Sequence, residues 1–271
     1  SGFALDAAMG PQEASVAYGE YLAKKLDPKL LGKSGVGLRA PTGSSVMVAL
    51  VDFSDLAHNN IPQPTSVNNE NNTDYWVADF NQAHYDTMVF NTSNEWSLRN
   101  YFLDASYRAY DQVGDVHDWS ALPQTAAEYG DDDATGGYDN DTADGYDITD
   151  LVRDAADTLS TWIPSGGWDA YCSSGNMIDY LIIVHAGKGQ EAGGGALGDD
   201  AIWSSRGSLT NTHTITGNYT VQNYIVVSED APVGVLVHLL GHEFGLPDTW
   251  NPDVDEVAWP QQDIGGAGEA S

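Results

Sequence analysis

Residues 45–53 read SVMVALVDF, a short β-branched apolar run closed by polar residues, as expected for a buried strand. Residues 178–184 and 219–227 have the same character and predict two further strands. Between the runs the spacing turns helical. Residues 95–110 place Trp96, Tyr101, Phe102, Ala105 and Ala109 three or four apart, which predicts an amphipathic helix covering a sheet face. Residues 148–162 predict another, with Asp147 or Thr149 as cap and a Pro- and Gly-containing stop at 164–167. This alternation, without any internal repeat, predicts an α/β (α+β) layer architecture, a mixed twisted sheet flanked by helices. Residues 14–26 have helical character and lead into a Gly- and Pro-bearing loop. A boundary is expected near residue 41, separating an N-terminal segment (1–40) from a domain over 41–271.

Forty Asp and Glu against ten Lys and Arg give a formal net charge of -30. Such a chain repels phosphate backbones and anionic lipid, which excludes nucleic acid as a partner. Its longest apolar runs fall well short of the roughly 20 residues of a membrane-spanning helix, so no membrane insertion is expected. Hydrophobic content of 41%, with 8 Trp and 14 Tyr in 271 residues, fills a sizeable core and excludes wholesale disorder. One cysteine, Cys172, cannot form an intramolecular disulfide, leaving packing and bound ions to hold the fold. Residues 1–10 lack the basic region of a signal peptide, giving either a cytosolic or an already processed chain. Acidic excess with scarce Lys suits salty or calcium-rich surroundings, and the expectation is an extracellular protein.

Residues 128–150 are rich in Asp and Gly and carry no aliphatic side chain larger than Ala before Ile148, so they are expected to form a loop outside the core. Within it Asp139, Asp141, Asp144 and Asp147 supply the hard oxygen ligands that Ca²⁺ prefers, although EF-hand spacing is absent. The alternative is a hydrated acidic loop.

Residues 232–244 (PVGVLVHLLGHEF) predict a helix from several signals: Pro at the first turn, Glu229 and Asp230 just before it, Gly245 at its end and Pro247 beyond. The segment is apolar nearly all round, so the helix is buried. It nevertheless carries His238 and His242, which at spacing four lie one turn apart on one face and can aim both imidazoles at one ion. Taken alone, the pair also reads as two core histidines bonded to backbone carbonyls. Asp248 follows after a Gly and a Pro that can turn the chain back. Its carboxylate is the candidate third ligand of a Zn²⁺ site with the fourth position open.

The stretch 238–248 (HLLGHEFGLPD) resembles the zinc-peptidase pattern HExxHxxGxxD at every defining position except one, where Leu239 replaces Glu. Together with VALVDF at 48–53, SLRNYF at 97–102, GDV at 114–116, DYLIIVHAG at 179–187, QEAGGG at 190–195 and IWS at 202–204, it makes the chain similar to secreted metallopeptidases of the immune inhibitor A type. The resemblance covers about residues 45–250. It implies a zincin-like fold with a buried metal-binding active-site helix and a short C-terminal part. It also implies a secreted or cell-surface zinc endopeptidase acting on proteins or peptides, with zinc on His238, His242 and Asp248, and often structural Ca²⁺.

Leu239 cannot act as the general base the pattern supplies, a loss of about 10²- to 10⁴-fold in rate. Glu243 lies one turn on, yet its carboxylate starts about 5.4 Å further along the axis, too far to replace the base. The calcium-like turn of the family keeps only Asp169 at 168–177, and all four Met precede His238, so the floor of the cleft, a methionine turn in the family, is expected to be missing, altered or supplied elsewhere. His185 and Glu191 read as structural or cleft-lining. The expected function is therefore zinc-dependent proteolysis, strongly impaired in this chain. The alternative is a non-catalytic surface or assembly protein that keeps the peptidase fold.

Overall fold

Residues 46–51 are each 0% exposed, and they form the centre of β1 (Ser45–Asp52). A strand buried on both faces needs a layer on each side. The computed structural model describes residues 45–64, 75–93, 96–106, 108–132, 146–164 and 166–246. The expected boundary near residue 41 lies outside them, as do Asp139, Asp141, Asp144 and Asp248.

β1 pairs in parallel with β2 (Val113–Ala121) on one side and β3 (Tyr180–His185) on the other. β3 pairs in parallel with β5 (Tyr219–Ser228), and β4 (Ser205–Thr216) closes one edge antiparallel to β5. The order is β2-β1-β3-β5-β4, a mixed five-stranded sheet. Alternation along the strands sends Val46, Val48, Leu50, Ile182 and Val184 to one face and Met47, Ala49, Val51, Leu181 and Ile183 to the other.

The first face is covered by α1 (Gln82–Phe90), α2 (Leu98–Ala105) and α5 (Val233–Glu243), through Tyr85, Phe102, Leu236 and Leu240 among others. The second face is covered by α3 (Ala126–Gly130) and α4 (Ile148–Thr158), through Tyr129, Leu151, Val152 and Ala155. Side-chain caps start four of the helices. Asn81, Ser97 and Asp147 accept backbone N–H bonds at α1, α2 and α4, and Thr125 with Glu128 forms a capping box at α3.

Three expectations are corrected. The helix expected over 95–110 is confined to Leu98–Ala105. Trp96 and Tyr101 are 73% and 49% exposed, because the packed stripe runs through Leu98 and Phe102. The stretch from 128 is not wholly loop: Tyr129 is 0% exposed, and this aromatic supplies the burial that the missing aliphatics do not. The helix from 148 is α-helical only to Thr158 and ends in a 3₁₀ turn, Leu159–Thr161.

With so few cations, many carboxylates bond to neutral donors. Tyr129 donates its hydroxyl to Asp154 at 2.5 Å, Tyr219 donates to Asp169 at 2.7 Å, and Tyr171 donates to Asp115.

Candidate metal centre

α5 begins after Pro232, whose extended backbone (φ -70°) suits the position before a first turn, and Val235, Leu236, Leu239 and Leu240 press it onto the sheet. Its end is a Schellman turn. The Leu246 N–H donates to the Gly241 carbonyl at 3.1 Å and the Gly245 N–H to the His242 carbonyl at 2.8 Å, with Gly245 in the left-handed region (φ 79°).

On the half-buried side of this helix, His238 and His242 meet: their Nε2 atoms are 2.9 Å apart and the ring centroids 4.4 Å. Two nitrogens bound tetrahedrally at about 2.0–2.1 Å from one zinc sit about 3.3 Å apart, so a small opening of this pair accommodates the ion. The donor types fit zinc. Asp248, the expected third ligand, lies outside the described residues. Among the described residues no set of three His, Cys, Asp or Glu side chains gathers as a metal site.

Leu239 is 1% exposed and belongs to the apolar cluster between α5 and the sheet. The position assigned by the pattern to a base is thus packed with hydrocarbon. Glu243 is tied elsewhere, since its Oε1 accepts from Arg206 of the edge strand β4 at 3.3 Å. Asp147 has a capping role, its Oδ1 accepting from the Thr149 and Asp150 N–H groups at 2.7 and 3.1 Å.

At the carboxyl end of the parallel strands the structure gathers polar groups that sequence reading took differently. Glu229, read as a charge preceding the helix, is 1% exposed. Its Oε2 accepts from the Asn59 N–H at 3.2 Å, the Gly187 N–H also donates to its carboxyl, and burial with nearby Asp230 and Asp52 raises that carboxyl to about 8. Asn59 itself sits at φ 63° and accepts from the Phe80 N–H at 2.7 Å, so Glu229 clamps the loop that follows β1. Asp52 holds the same loop through the N–H of His58 at 2.6 Å and its ring Nδ1 at 3.0 Å.

His185 is 2% exposed on the sheet face opposite α5. There it faces the Phe53 ring and donates Nδ1–H to the Ala186 carbonyl at 3.0 Å. Burial pushes its pKa down to about 4, which keeps it neutral. Glu191 accepts the Ser204 N–H at 3.1 Å in the Gly-rich turn. The only early sign of Glu229's role was its place at the end of an apolar strand.

The sequence model for the catalytic domain of immune inhibitor A peptidase M6 matches residues 39–255. Immune inhibitor A of Bacillus thuringiensis subsp. alesti is 35% identical over 242 residues, covering 77% of this chain and 33% of that protein. The pre-pro-metalloprotease PrtV of Vibrio cholerae serotype O1 is 30% identical over 238 residues, covering 76% of this chain and 25% of that protein. The chain thus spans a quarter to a third of the length of the curated relatives it matches.

Proposed function

The chain belongs to the immune inhibitor A family of metallopeptidases, and from that membership we propose that it is a zinc-binding peptidase domain, acting outside the cell on proteins or peptides, with strongly impaired catalysis. His238 and His242 hold the ion through Nε2, and Asp248 supplies the third donor. Bound zinc supplies Lewis-acid polarisation of a substrate carbonyl. What this chain lacks beside it is a proton acceptor. Leu239 offers no lone pair, and the Glu243 carboxylate is engaged by Arg206. Water attacking a carbonyl would have no side-chain base here, which removes the 10²- to 10⁴-fold that general-base catalysis typically contributes.

The observation that carries this reading is the convergence of the two imidazole nitrogens to 2.9 Å on a helix whose intervening base position is apolar and buried. Zinc titration by calorimetry and casein hydrolysis test it together. The expected result is one zinc per chain, lost in His238→Ala, with casein turnover at least 10²-fold below that of a relative carrying Glu at the position of Leu239. A chain that binds no zinc, or that cleaves casein as fast as such a relative, overturns the proposal.

A further inference from the structure

The Schellman turn that ends α5 does more than stop the helix, because it brings the carbonyl of Leu246 to 2.9 Å from Nδ1 of His242. A carbonyl oxygen can only accept, so this contact requires the hydrogen on Nδ1. A neutral imidazole with its hydrogen on Nδ1 has its lone pair on Nε2, the atom that faces His238. The geometry points to Gly245 as a positioning residue: its left-handed backbone aims the Leu246 carbonyl at His242 and so selects the tautomer whose Nε2 binds metal.

Three observations converge on this role. Gly245 has φ 79°, a region that costs an L side chain roughly 1–2 kcal/mol. Its own N–H and that of Leu246 are both spent on α5 carbonyls, so the turn has little freedom to reorient. The Leu246 carbonyl then lands on the one ring nitrogen of His242 that does not face His238. In the metal-free pair His238 donates Nε2–H to Nε2 of His242, and to hold zinc through the same atom His238 would carry that hydrogen on its own Nδ1 instead. A backbone carbonyl bonded to the outer nitrogen of a ligating His fixes ring orientation and raises ligand basicity. Loss of such a partner typically weakens metal affinity 10- to 100-fold.

The inference rests on the reading of His238 and His242 as zinc ligands, and its test separates the two. Nitrogen-15 NMR of the imidazoles in the zinc-free chain reports the tautomer directly. Zinc affinity is then measured for the parent, Gly245→Asn and Gly245→Val. Asn tolerates the left-handed region and Val does not.

The expected result is an Nδ1–H tautomer of His242 in the parent and in Gly245→Asn, with zinc affinities within about threefold of each other. Gly245→Val shows a mixed tautomer and an affinity 10- to 100-fold weaker. An Nε2–H tautomer in the parent overturns the inference whether or not the Val variant folds, and so does a folded Gly245→Val with the parent's tautomer and affinity. A parent with the Nδ1–H tautomer that takes up no zinc upholds the Leu246 contact and sinks the metal reading instead.

Discussion

Replacing Leu239 with Glu restores the residue of the peptidase pattern, yet the packing around it dictates a penalty before any gain. The side chain is 1% exposed among Leu236, Leu240 and the sheet residues under α5. Removing a buried Leu forfeits about 1.5–3 kcal/mol of apolar burial. Placing a carboxyl there without a partner costs a further 1–3 kcal/mol even in its neutral form. The total is about 4 kcal/mol. At about 2–4 °C per kcal/mol for a domain of this size, the melting temperature should fall by about 10 °C. Leu239→Met keeps volume and polarity and should cost under about 1.5 kcal/mol. Differential scanning calorimetry of the three proteins at pH 7 makes the comparison. A Leu239→Glu protein that melts within about 2 °C of the parent would mean that this side chain reaches the cleft rather than the core, and the packing argument would be wrong.

Other perturbations follow from the same contacts. Glu229 carries a carboxyl raised from 4.5 to about 8, so between those values the folded chain holds a proton that the unfolded chain has released. Its contribution is therefore fully present below 4.5 and lost as pH rises through 8, on the order of 5 kcal/mol. Glu229→Gln keeps an oxygen for Asn59 and Gly187 and should melt higher than the parent at pH 8.5 but not at pH 5; equal shifts at both would refute this. Gly114→Ala should destabilise by more than about 3 kcal/mol in urea titration, because a Cβ there overlaps the Val46 carbonyl oxygen and the Phe90 ring where β2 pairs with β1. Glu243→Gln should change any residual peptide hydrolysis less than twofold, since Arg206 already occupies that carboxylate; a tenfold drop would make Glu243 a base after all.

The strands that were legible in the sequence are those buried on both faces. β1, β3 and the apolar part of β5 read as uninterrupted apolar runs, and α5 was bounded by Pro232 and Gly245. β4 was not legible. Its sequence SRGSLTNTHTIT is half exposed and forms a strand because β5 offers a ladder to it, a non-local cause. α1 likewise lacks a clean apolar stripe and is held by Tyr85, Met88, Val89 and Phe90 pressing on β2 and the sheet. Aromatic spacing misled at Trp96 and Tyr101, where regular placement did not mean burial. At the candidate metal centre, helical spacing four implied the meeting of His238 and His242. Burial of Glu229 depended on the loop that follows β1, 170 residues earlier in the chain, which no local pattern encodes.

The pairing of Tyr129, Tyr171 and Tyr219 with aspartates bears on how this domain responds to brine. Dissolved ions weaken attraction between opposite charges and repulsion between like charges alike, but a phenol bonded to a carboxylate owes little to either. Added salt therefore relieves the crowding of the surplus anions while leaving these ties in place. Stability should climb with sodium chloride well into the molar range, the reverse of a fold stitched by surface ion pairs, and a melting temperature that drops with salt would contradict this.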